Sequence, residues 1–322
     1  MAHPQMSVLE SARRWLAAGE RVWLCTILET WGSSPRPAGS MLAVSGDGHW
    51  AGSVSGGCLE EDLLQRTARG DQPDTPVIVD YGISAGDQER FRLPCGGRIQ
   101  LLVEPLSARH LDGMQQLLQA LADNRAVCRI VALDTGAVSI ELDVPAPTGI
   151  RQEEGRVHQV LGPECRLLLV GAGDVSAHVA AFGHRCGFAV TLCEPREAFL
   201  RGWWEAETPA VATLPDDLVM ESFSDRYNAV LALAHDPRVD DMALLAALNS
   251  ECFYVGAMGS KQTSRARRER LLSLGVTDEQ LARLHAPVGV AIRSKTPAEI
   301  AVSIIADLVD ARHDLLAGSG AL

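Results

Sequence analysis

Two cysteines stand in settings that invite chemistry. Ser55-Gly56-Gly57-Cys58 runs directly into Leu59-Glu60-Glu61-Asp62-Leu63-Leu64, which has the acidic first turn of a helix. A thiol at a helix N-terminus meets the positive end of the dipole, which favours thiolate, while the three acids beside it oppose that. Pro94-Cys95-Gly96-Gly97 places a second sulfur next to paired glycines, ahead of a strand-like run from Arg98. In both places glycine lets something bulky approach the backbone beside sulfur. Gly32-Ser33-Ser34-Pro35-Arg36-Pro37-Ala38-Gly39 adds hydroxyls and a guanidinium held by two prolines. Ser33 and Arg36 there suit a phosphate or carboxylate; the composition suits a rigid surface loop equally well. Cys25, Cys128, Cys165, Cys186, Cys193 and Cys252 lack such surroundings and are expected to be inert.

The second half carries a different set. Gly171-Ala172-Gly173-Asp174-Val175-Ser176 follows the apolar run Arg166 to Val170, as a dinucleotide-binding turn would. Gly171 and Gly173 permit the tight turn and close approach to a phosphate at a helix N-terminus. Glu194 ends the next apolar run, about 20 residues on, where an acid holds a ribose hydroxyl. Ser176 replaces the third glycine, and Asp174 is unhelpful to a pyrophosphate. A turn that merely packs helix on sheet is the plainer alternative. His235-Asp236-Pro237 lies just past another strand-like run, where His235 could contact a ligand, donate a proton or cap the turn. Ser260 and Lys261 open a basic run through Arg270 and could meet a phosphate; Arg267, Arg268 and Arg270 read as a solvated or docking face. No serine-hydrolase elbow, P-loop or HExxH is present, so no catalytic residue and no metal ligand is assigned.

These loops need elements to position them. From about residue 164 onward, strand-length apolar runs (Arg166–Val170, Phe188–Glu194, Ala229–Ala234, Cys252–Gly256) alternate with helical segments, predicting a parallel sheet covered on both faces. The first half has helix-period apolar residues from Val8 to Leu16, then short runs at 22–28, 40–44, 50–54, 77–79 and 99–103. Gly- and Pro-rich loops separate them, as in hairpins. The segment 106–162 predicts one helix (Leu111 to Leu121) and two strands, with the domain boundary in or just after the polar stretch Arg151 to Arg156. The predicted fold class is α/β: an N-terminal α+β domain over 1–162 and a C-terminal Rossmann-like domain over 163–322.

The 322 residues suffice for two cores. A net charge of −12 argues against a global grip on nucleic acid. No apolar stretch approaches the roughly 20 residues that cross a bilayer, and no secretory signal opens the chain. Eight scattered cysteines without a CxxC pair fit reduced thiols, and the cytoplasm is the expected compartment.

The motifs also resemble a known family. Gly32 to Pro37, Ser55-Gly56-Gly57-Cys58-Leu59-Glu60 and Cys95-Gly96-Gly97 are similar to the N-terminal signature of the XdhC/CoxI proteins. Gly171-Ala172-Gly173, Ala234-His235-Asp236, Tyr254 to Ser260, His285 to Gly289 and Lys295 to Ala301 resemble their C-terminal Rossmann domain. The resemblance implies an accessory factor without turnover of its own. Such a factor binds the molybdenum cofactor, stabilises it, supports its sulfuration and inserts it into a molybdenum hydroxylase of the xanthine dehydrogenase or aldehyde oxidoreductase type. Trp31 to Pro37 is similar to members serving aldehyde oxidoreductases, which implies the cytosine dinucleotide form (molybdopterin cytosine dinucleotide). The implied partners are a cysteine desulfurase, a cofactor cytidylyltransferase and the apo molybdoenzyme large subunit. A homodimer is the default assembly. On this reading Cys58 and Cys95 lie near the metal or its sulfur. Ser33, Arg36, Gly56 and Gly57 lie near pterin or phosphate, Gly171, Gly173 and Glu194 serve a nucleotide-like part, and Ser55, Gly96, Gly97, His235, Ser260 and Lys261 are further cofactor-binding candidates. Where members commonly carry His after Gly-Ala-Gly, this chain has Asp174, and Arg293 stands where many have glycine. The competing class is an NAD(P)-dependent oxidoreductase with His235 as proton donor, which leaves both cysteines unexplained.

Overall fold

A computed structural model describes residues 4–32, 36–82, 98–144 and 149–318. The chain divides into two compact units, Ala2–Pro163 and Glu164–Leu322.

In the first unit, α1 (Pro4–Ala17) precedes β1 (Val22–Trp31), β2 (Met41–Ser45) and β3 (Trp50–Gly52). Then come α2 (Cys58–Arg69), β4 (Val77–Tyr81) and β5 (Arg98–Leu106). The strands form an antiparallel sheet in the order β3-β2-β1-β5-β4. Central β1 is buried along both faces from Val22 to Leu28, which explains an apolar run interrupted there by Thr26 alone. Val22 and Leu24 face Val8, Leu9 and Ala12 of α1, while Trp23, Cys25 and Ile27 face Leu59 and Leu63 of α2. Helix α3 (Leu111–Ala122) joins the α1 side of that core.

A second antiparallel sheet, in the order β7-β6-β9-β8, is built from β6 (Val127–Ala132), β7 (Val138–Leu142), β8 (Gly149–Glu153) and β9 (Arg156–Leu161). The polar stretch 151–156, expected to hold or adjoin the boundary, is the β8–β9 hairpin. Its side chains are polar because β8 is an edge strand with four of its five residues exposed.

The second unit carries the six-stranded parallel sheet predicted from its apolar runs. Its order is β12-β11-β10-β13-β14-β15, from β10 (Arg166–Val170), β11 (Ala189–Cys193), β12 (Ala210–Val211), β13 (Asn228–Ala232), β14 (Tyr254–Ala257) and β15 (Leu284–His285). Leu167, Leu169, Ala229 and Leu231 pack on one face with residues of α4 (Asp174–Arg185) and of Pro297–Gly318, the last helix. Leu168, Val170, Val230 and Ala232 pack on the other with α6 (Pro215–Ser222), α7 (Pro237–Leu248) and α8 (Lys261–Ser273). The short helices α5 (Glu197–Leu200) and α9 (Asp278–Ala282) complete the set, so that the last helix is α10. The connection reverses direction between β10 and β13. Sheets of this order bind ligands at that point, beyond the strands' carboxyl ends.

Candidate functional site

In the first unit the loop between β3 and α2 is organised around one side chain. Gly52 turns the chain out of β3 at φ +89°, where an added Cβ would lie 2.3 Å from the Met41 carbonyl oxygen. The loop that follows closes on Glu60, which is 6% exposed. Its carboxylate accepts the Ser53 hydroxyl at 2.6 Å, the Ser55 hydroxyl, and the backbone amides of Val54 (2.8 Å), Ser55 (2.9 Å), Gly56 (3.1 Å) and Gly57 (2.8 Å). Burial alone would raise its pKa; the two hydroxyls and the amides outweigh that and hold it well below the usual carboxylate range. Successive amides curled in this way form an anion nest, and here the anion is the chain's own.

The backbone amides of Ser55, Gly56 and Gly57 are thus committed to Glu60 and do not line up for a phosphate. A cleft of about 770 Å³ opens beside the loop, lined by Arg36, Trp50, Ser53, Gly56, Gly57 and Leu64 among others. Trp50 is 54% exposed and offers an aromatic face. The structure thus brings Arg36, Gly56 and Gly57 to one cleft. Cys58 starts α2, but its side chain lies outside the described residues, as do Ser33, Cys95, Gly96 and Gly97. Among the other cysteines, burial pushes the Cys25 and Cys193 thiols up to about 12 and Cys165 to about 11, far from reactive thiolates.

In the second unit a crevice of about 670 Å³ sits at the β10/β13 switch point. At the glycine turn Gly171 packs against the loop after β13: an added Cβ would lie 2.3 Å from the Ala234 Cα. Gly173 and His235 both line the crevice. His235 holds a left-handed backbone, φ +57°, between two fixed points. On one side the Ala234 amide donates to buried Asp240 at 3.0 Å; on the other Asp236 caps α7 by accepting the Arg238 amide at 3.0 Å.

Glu194 does something else than predicted. It is fully buried, and its carboxylate accepts the Ala172 amide at 2.8 Å and the Arg196 amide, Nε and Nη2 at 2.9, 2.8 and 2.8 Å. It clamps the glycine turn to the exit of β11 and presents nothing to a ribose. Arg196 stands in the crevice wall instead, with its guanidinium 4.0 Å from the centre of the Phe199 ring. The expected phosphate role of Ser260 also gives way: its hydroxyl caps α8, accepting the Thr263 amide at 3.1 Å, and the adjacent Lys261 is exposed. The basic run is not a solvated face. Arg267 is buried against Asp240 at 3.1 Å, Arg270 binds Asp241 through Nε at 2.6 Å and Nη2 at 3.1 Å, and Arg268 donates to the carbonyls of Leu281 and Leu284.

Sequence reasoning missed Glu60, Trp50, Arg196 and Asp240. Only Glu60 left a signal, the glutamate three residues after the helix N-cap that marks a capping arrangement. Among the described residues no three His, Cys, Asp or Glu side chains group so as to hold a metal ion, and no helix is long and apolar enough to cross a membrane.

Comparison with known proteins gives matches in both units. Residues 15–82 match the XdhC and CoxI family, and residues 167–308 match the XdhC Rossmann domain. A Bacillus subtilis protein named as a probable xanthine dehydrogenase subunit is 25% identical over 91% of this chain and 94% of its own length. The Escherichia coli molybdenum cofactor insertion chaperone PaoD is 26% identical over 95% of this chain and 88% of its own. A crystal structure from Bacillus halodurans, described as a xanthine dehydrogenase, superposes with a TM-score of 0.77 at 26% identity, covering 98% of this chain and 96% of that one. With the family's two parts matched in order, one in each unit, and relatives aligned along nearly the whole length, the chain belongs to the XdhC/CoxI family.

Proposed function

We propose that this chain is a cytoplasmic carrier of the molybdenum cofactor, which it shields and inserts into the apo large subunit of a molybdenum hydroxylase. The cofactor is cargo, and the chain performs no turnover on it. The observation that carries this reading is the first unit's cleft, lined by Arg36, the exposed Trp50 and the loop that closes on Glu60 just ahead of Cys58. Trp50 gives a planar pterin an aromatic face, and Arg36 meets its phosphate, since the loop amides are committed to Glu60. Cys58, and Cys95 with it, supply soft sulfur for the molybdenum end. The crevice of the second unit receives the nucleoside end of a nucleotide-like part. The relative named as a cofactor insertion chaperone supports the delivery step. A cysteine desulfurase and a cytidylyltransferase are the proposed suppliers, and a homodimer the proposed working form.

The test is to produce the chain in cells that make the cofactor, isolate it by gel filtration, and measure bound molybdenum and pterin. Release of CMP on mild hydrolysis decides between the plain and cytosine dinucleotide forms. The wild type is expected to carry near-stoichiometric molybdenum and pterin, with a drop of about tenfold in Cys58→Ala and in Arg36→Ala. A wild-type chain free of both overturns the proposal.

A further inference from the structure

The charges around the second unit's crevice specify its ligand more closely than the fold does. In a sheet of this order the acid closing the second strand usually takes the ribose hydroxyls, and the glycine turn takes a pyrophosphate. Here the acid is not available for that task, and the turn has one amide fewer to offer. Glu194 is buried with both oxygens bonded, and the Ala172 amide of the turn points onto it. Two guanidinium groups line the crevice, and each is already paired through two nitrogens: Arg196 with Glu194, Arg238 with Asp236. Asp174 is left. It is the first residue of α4 and exposed in the crevice wall, and among the described residues its side chain makes no hydrogen bond or ion pair. A carboxylate there repels a phosphate, yet its two oxygens can accept both hydroxyls of a cis-diol. Phe199, which lines the same crevice, is 51% exposed and carries the Arg196 guanidinium against its ring, a polarised platform of the kind on which a nucleobase stacks.

We infer that Asp174 makes this crevice a ribonucleoside site, with the ribose diol on its carboxylate and the base on the Phe199–Arg196 platform, and that a pyrophosphate is refused at the glycine turn. The inference rests on the nucleotide-like part of the function proposed above and not on the first unit's cleft.

Calorimetric titration of the full chain with adenosine, cytidine, 2′-deoxyadenosine, ADP and NADH tests it. Adenosine or cytidine is expected to bind at least about tenfold more tightly than ADP or NADH, and removal of the 2′-hydroxyl to cost about tenfold. Asp174→Asn should reverse the preference, weakening the nucleoside and strengthening ADP. Phe199→Ala should weaken every base-bearing ligand. ADP or NADH binding as tightly as adenosine to the wild type, an unchanged order in Asp174→Asn, or no nucleoside binding by a chain that loads molybdenum would each overturn the inference. Nucleoside binding by a chain that loads no molybdenum would support it while overturning the cargo reading.

Discussion

Glu60 shows how one carboxylate can settle what a loop does. Four consecutive amides and two hydroxyls converge on it, so its negative charge is built into the native loop. Because its native pKa is depressed, the stability it contributes is fully present above 4.5, the ordinary glutamate value, and is lost as pH falls below that. Other depressed carboxylates, Glu194 and Asp236 among them, add to the same slope, so the comparison must be with Glu60→Gln. That variant should be less stable by roughly 2–4 kcal/mol at pH 7, through loss of charge-assisted bonds to buried donors. The gap to wild type should narrow as pH is lowered through the range below 4.5. Urea unfolding of both proteins at stepped pH measures it, and parallel stability curves would show that the carboxylate charge is not what the loop holds. The glycines and Cys58 drew the sequence reading to this loop, yet the partner of its amides did not stand out. The one signal, a glutamate three residues after the N-cap Gly57, is masked by its acidic neighbours Glu61 and Asp62, beside which Glu60 reads as ordinary helix-start charge. Glu194 was legible as an acid at the end of a strand, but its engagement by Arg196, two residues on, depends on how that side chain folds back.

Between elements, the first unit is tied together by a charge pair that no local pattern announces. Glu104 on β5 and Arg129 on β6 are almost completely buried and meet in two bonds of 3.0 and 2.6 Å, linking the two sheets. Each sits as a lone charge in an apolar run, which a sequence reading takes for a strand with one outward residue. Their partnership, across 25 residues and between two sheets, follows only from the fold. Arg129→Met should cost about 3–5 kcal/mol because it strands a buried carboxylate, and adding Glu104→Leu should recover most of that loss. Denaturant midpoints of the single and double variants check it; a double variant as weak as the single would mean that the pair's geometry, and not its charge balance, holds the sheets. The same limit explains Arg267 and Arg270. A basic run on a helix reads as solvated until Asp240 and Asp241 of α7 are brought against it.

At the scale of the whole molecule, the two halves were unequally legible for a physical reason. A parallel sheet buried on both faces writes each strand as a continuous apolar run, and the alternating faces of β10 and β13 each find a helical layer. The first unit's sheets are antiparallel and pair strands far apart in sequence, β1 with β5 above all, so the runs were visible but not their neighbours. Each unit nonetheless closes its own cores: among the described residues, the clusters built on β10–β15 draw on residues after 164, and those built on β1–β9 on residues before it. A segment with its own core and about 160 residues is within the range that folds alone. Residues 164–322 produced by themselves should therefore give a helix- and strand-rich circular dichroism spectrum and a cooperative thermal transition. In the intact chain, Arg129→Met should lower the transition of the first unit while a transition matching that of the isolated fragment stays within a few degrees of its original position. A fragment that melts without cooperativity, or an Arg129→Met chain whose whole unfolding shifts as one, would show that the second unit depends on the first for its stability.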